Sequence, residues 1–146
     1  MRKYLFVISY TLLFVFGCKE DDHPVPNQRF TAYINLMLPD YINKDAFVAI
    51  YDSYGRRIGI GGVIVYRVGD GRYYVFERYC PHDEELTCLV DLEEGNTSAQ
   101  CPCCESRFFI MSETGDCIEG PSDYSLKPYR NRVESKSNGT ILEIYN

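Results

Sequence analysis

Three cysteines within four residues dominate the chain: Cys101-Pro102-Cys103-Cys104-Glu105-Ser106-Arg107-Phe108. Buried cysteine packs as a small hydrophobe, and packing gives no reason to set three side by side. Cys101 and Cys104 have the Cys-x-x-Cys spacing by which two thiolates converge on one metal ion or cluster. Cys103, between them, points elsewhere. Upstream, Cys80-Pro81-His82 offers a second pair of soft ligands, and Pro81 stiffens that loop through its fixed φ. Two such pairs act together only if the fold brings their loops side by side. The motif therefore constrains topology as well as chemistry. His82 is one of two histidines; the other is His23. Alone, His82 reads as a surface residue. Two positions from a cysteine and opposite a Cys-x-x-Cys, it reads as a ligand.

The rest of the chain supplies short strands and turns. There are 13 Tyr and 8 Phe but no Trp, an aromatic bias that leans towards strands. Phe30 to Leu38 alternates loosely and stops at Pro39-Asp40. Ala46 to Tyr51 is a short apolar run, followed by turn residues Asp52-Ser53-Tyr54-Gly55. Val63 to Val68 and Tyr73 to Tyr79 are joined through Gly69-Asp70-Gly71, a strong hairpin signal that delivers the chain to Cys80. Arg132 to Lys136 and Thr140 to Tyr145 flank Asn138-Gly139, a second hairpin signal. No long stretch with a 3.6-residue period and caps follows residue 18. The expectation is one antiparallel all-β domain of short strands and hairpins over residues 29–146.

These residues together resemble the Rieske iron–sulfur proteins. That family's first loop reads Cys-x-His, matched by Cys80 and His82. Its second reads Cys-Pro-x-His-Gly-Ser-x-Phe, matched by Cys101, Pro102, Ser106 and Phe108. The likeness runs from about Gly62 to Tyr129. Gly115 fits the family's following turn, and Gly120-Pro121 with Leu126-Lys127-Pro128-Tyr129 resembles its cluster-covering loop and ending. The resemblance implies a Rieske-like β fold with two metal-binding loops and a [2Fe-2S] cluster held by Cys80, His82, Cys101 and Cys104. It also implies a second shell of Ser106 and Pro121.

Two departures matter. Glu105 stands where the family has Gly, and Cys104 stands where it has the second His. In Rieske centres two neutral imidazoles raise the potential to about −150 to +300 mV. Exchanging one for a thiolate gives a Cys3His set, adds negative charge and should lower the potential. Cys3His is also a common closed tetrahedral zinc set. The alternatives are therefore a cluster, a zinc ion, or no metal with the cysteines oxidised. Six cysteines remain besides Cys18, and as pure disulfides they could pair in 15 ways. Some Rieske proteins join their two loops by a disulfide, and Cys88 with Cys103 would fill those roles. Cys117 has no family counterpart.

The first 17 residues read as a signal peptide and are set aside from the fold. Arg2 and Lys3 precede an uncharged apolar run from Tyr4 to Phe16, shorter than the roughly 20 residues a spanning helix needs. Val15-Phe16-Gly17-Cys18 resembles a bacterial lipoprotein processing site, with Cys18 acylated. An ordinary signal peptide is the alternative. Lys19-Glu20-Asp21-Asp22 resembles the short signal that sends some Bacteroidetes lipoproteins to the cell surface, or it is a solvated tether. Pro24 and Pro26 suit an extended linker through residue 28. Loss of Arg2 and Lys3 takes the formal charge from −6 to −8, without a basic patch, which disfavours nucleic acid. The signal lacks a twin-Arg pair, which weighs against export with a cluster already in place.

The functional expectation is a carrier on the outer membrane, at its periplasmic face or the cell surface. It would pass single electrons to a partner protein and have no catalytic residues of its own. The alternative is a Rieske-fold binding or structural module that holds zinc or is stapled by disulfides.

Overall fold

The computed structural model describes residues 23–137 and 139–146. The expected signal segment, Cys18 and Asn138 lie outside the described residues. Among those described there are ten strands and no helix, as the alternation and turn chemistry lead one to expect. Three antiparallel sheets form. The first has the order β1 (Thr31–Asn35), β10 (Gly139–Tyr145), β9 (Arg130–Lys136). The second is β2 (Ala46–Ala49), β3 (Val63–Gly69), β4 (Arg72–Glu77). The third is β5 (Asp91–Leu92), β6 (Ser98–Gln100), β7 (Arg107–Phe109), β8 (Cys117–Glu119).

The second sheet is the middle of the molecule. Its successive residues Val63, Ile64 and Val65 are all fully buried, so both of its faces are covered. Val63, Val65 and Val75 face a core shared with Ala32, Ile34, Leu142 and Ile144 of the first sheet. Ile64 and Phe76 face the other way, into a second core with Val90, Ala99, Phe108, Cys80 and Cys101. The two sulfur loops are thus built into a core of their own.

The hairpin from β3 to β4 turns at Asp70 and Gly71, both with positive φ (51° and 72°). That is what a two-residue turn matched to strand twist requires. Gly55 N–H donates to the Asp52 carbonyl at 2.9 Å, closing the expected turn there. The linker region from His23 onward lies on the domain. Val25 is 1% exposed, Lys127 Nζ donates to its carbonyl at 3.1 Å, and His23 Nε2 bonds the Ser125 carbonyl at 2.9 Å.

Candidate metal centre

The first loop leaves β4 through a fixed frame. Glu77, fully buried, accepts N–H bonds from Ile60, Gly61 and Tyr79 and the Tyr129 hydroxyl at 2.7–3.0 Å. Burial, then the Glu77 charge, pushes the Tyr129 hydroxyl up. Arg78 Nε donates to the Val90 carbonyl at 2.8 Å, and a bridge between Tyr79 and Leu89 draws the loop's ends together. The second loop is the connection of the β6–β7 hairpin, just beyond the pair Gln100 and Arg107. A strand end and a hairpin tip, fixed by different sheets, thus bring Cys80 to Cys101 and Cys104.

Both loops are the same local structure. Glu84 N–H donates to the Cys80 carbonyl at 3.1 Å, and Glu105 N–H to the Cys101 carbonyl at 3.0 Å. Each closes a single turn with the ring size of an α-helix. Each turn ends at a glutamate in the left-handed region, Glu84 at φ 53° and Glu105 at φ 62°. The sequences correspond as well: Cys80-Pro81-His82-Asp83-Glu84 and Cys101-Pro102-Cys103-Cys104-Glu105. In a helical turn residues three apart face one side, while a residue two away does not. Cys101 and Cys104 therefore face inward, and Cys103 faces out to bond Cys88, with Cα atoms 5.6 Å apart. The Cys88–Cys103 link that the resemblance implies is present.

The same rule decides the first loop. Cys80 and Asp83 face inward, and His82 is exposed. Four ligand atoms, one each from Cys80, Asp83, Cys101 and Cys104, lie within 4.8 Å of one another. Cys80 Sγ and Cys104 Sγ are 3.7 Å apart, and the Cys101 thiol donates to Asp83 Oδ2 at 3.0 Å. Three of the four expected ligands thus converge; His82 is outside the group, and Asp83 holds the fourth place. Asp83 escaped the sequence reading because Cys-x-His reads as an extended pair. The signal that finds it is the repeated Cys-Pro-x-x-Glu.

Burial pushes the Cys80 thiol up, against the His82 and Asp83 backbone N–H groups that favour its thiolate. Burial likewise pushes Cys101 up, against the corresponding N–H groups of Cys103 and Cys104. Burial works against the Asp83 carboxylate, but bonds from the three thiols and the charge of His82 outweigh it and hold Asp83 below the usual range. A metal replacing the thiol protons would relieve the raised thiols, so loading releases protons and strengthens as pH rises.

Ser106 and Pro121, the residues expected around the centre, stand differently in the fold. Ser106 is fully buried; its Oγ accepts from the Cys104 thiol at 3.2 Å and from the Ser122 N–H at 3.1 Å. Pro121 is exposed, and the covering loop meets the site through Gly120 and Ser122. A Cβ on Gly120 would come within 2.5 Å of Ser106 Cα, so this close approach needs glycine. Cys117 donates to the Glu119 carbonyl at 3.3 Å and stands half-buried, outside the ligand group.

The family model of the Rieske [2Fe-2S] domain matches residues 43–130. That span includes both loops, all four converging donors and the disulfide. No curated protein matches the chain in sequence.

Proposed function

The chain belongs to the Rieske [2Fe-2S] domain family, and we propose that it is a one-electron carrier whose cluster is held by Cys80, Cys101 and Cys104. The convergence of three thiols on the two family loops carries this reading. The donor chemistry fits. Cluster irons are held by thiolates on short loops, and these turns present three sulfurs and one further donor. When bound, the cluster supplies reversible one-electron transfer. The chain's own residues do the rest. The twin turns fix the sulfurs. The N–H groups and the Ser106 hydroxyl offer hydrogen bonds to sulfur, which tune the potential. The Cys88–Cys103 bond holds the two loops together. Cys18 anchors the protein by lipid to the bacterial outer membrane, where the carrier meets a redox partner protein.

A specific observation favours a second reading. Metal–sulfur bonds of about 2.3 Å at tetrahedral angles set two sulfurs about 3.8 Å apart. Cys80 and Cys104 stand at 3.7 Å, the spacing of two ligands of one ion. A single zinc in the same four donors would make the protein a structural or binding module without redox chemistry.

Reductive titration separates the two. The carrier bleaches reversibly on one-electron reduction, at a potential below about −150 mV, because a thiolate replaces a neutral imidazole. Cys104→His then raises the potential by on the order of 100 mV. A colourless protein that binds zinc and takes up no electron contradicts the carrier reading.

A further inference from the structure

The fourth place in the ligand group is filled from an unexpected residue. The geometry points to Asp83, through its carboxylate, as the fourth ligand of the metal centre, making the set three thiolates and one carboxylate. This rests on the reading of the site as a metal centre and names a ligand that reading leaves open.

Three observations carry it. The first is the equivalence of the loops. Each is closed by a glutamate N–H bonded to the cysteine carbonyl four residues back. Each ends in a left-handed glutamate. In the second loop the inward pair is Cys101 and Cys104, so in the first it is Cys80 and Asp83. His82 corresponds to Cys103, whose outward direction is fixed by its disulfide. The second observation is distance. Asp83 Oδ2 lies 3.0 Å from Cys101 Sγ, and the donor atoms of all four residues fall within 4.8 Å of one another. The third is burial. Asp83 is half-buried and His82 exposed. In the turn as closed between Cys80 and Glu84, no His82 nitrogen joins the group of donor atoms.

A carboxylate is harder than an imidazole and carries a charge that neutral imidazole lacks. The centre would gain a more anionic ligand set, and no ring nitrogen would touch the metal.

X-ray absorption at the metal edge tests this on the full chain purified from its membrane, whichever metal it carries, and on metal-free chain loaded with zinc ions. A bound imidazole ring gives outer-shell scattering, and a carboxylate does not. A single zinc should show about three sulfurs and one oxygen, and a [2Fe-2S] cluster, with its bridging sulfides, an average of about three and a half sulfurs and half an oxygen per iron; neither should show imidazole scattering. Zinc affinity, read by chelator competition, supplies the variant arm. Asp83→Ala should bind zinc at least about tenfold more weakly, while His82→Ala stays within about threefold of the parent. Peptide mapping of the Cys88–Cys103 disulfide checks that the variants fold, and the unmodified chain needs no such check. Imidazole scattering in the unmodified chain would overturn the assignment and restore His82. Retention of neither iron nor zinc would overturn the metal-centre reading itself, and the assignment with it.

Discussion

Glu105 marks the second turn at the scale of one residue. It ends that turn at φ 62°, a conformation that favours glycine, the residue the sequence resemblance sets at this position. An L-residue in that region costs about 1–2 kcal/mol, and glycine does not. Glu105→Gly should therefore stabilise the domain by about 1 kcal/mol in denaturant unfolding. No change, or a loss, would mean that the glutamate side chain compensates for the strain. The neighbouring cysteines were legible in the sequence because spacing alone assigns Cys101 and Cys104 to one site. Asp83 was not, because its role comes from the winding of the turn. Read as extended chain, Cys80 and His82 alternate to one face; wound into a turn, Cys80 and Asp83 share it. Glu77 was hidden for a similar reason. Its four bonds come from Ile60, Gly61, Tyr79 and Tyr129, brought together only by the fold.

At the scale of elements, the long hairpins were legible and the short strands were not. β3 and β4 carry their own turn at Asp70-Gly71, and β9 and β10 run seven residues each. β5 to β8 are two or three residues long, too short to show a period. Their place is set by the second core and by the loops they hold, with Phe108 fully buried in that core. The disulfide is the covalent link between those loops. It spans 15 residues of sequence, and in the chain-entropy account such a closure contributes about 3 kcal/mol. Cys88→Ser with Cys103→Ser should lower unfolding stability by about that amount and loosen metal binding. Unchanged stability would show that sheet contacts alone hold the two turns together.

For the whole molecule, the middle sheet separates the two cores. One is shared with the first sheet. The other contains Cys80 and Cys101, so the sulfur site and the fold share the same buried surface. Residues 23–28 lie on this domain, with Val25 buried, so an anchor at Cys18 would hold the domain close to the membrane. Cys18→Ser should move the protein from the membrane fraction to the soluble one. An unmodified Cys18 in the processed wild-type chain, seen by mass spectrometry, would rule the anchor out. The central claim is that the two twin turns hold a [2Fe-2S] cluster. Its most direct test is the iron, acid-labile sulfide and zinc content of the chain purified anaerobically from the cells that make it. The account predicts two iron and two sulfide ions per chain, with zinc at background. One zinc per chain without sulfide, or a chain with no metal at all, would contradict it.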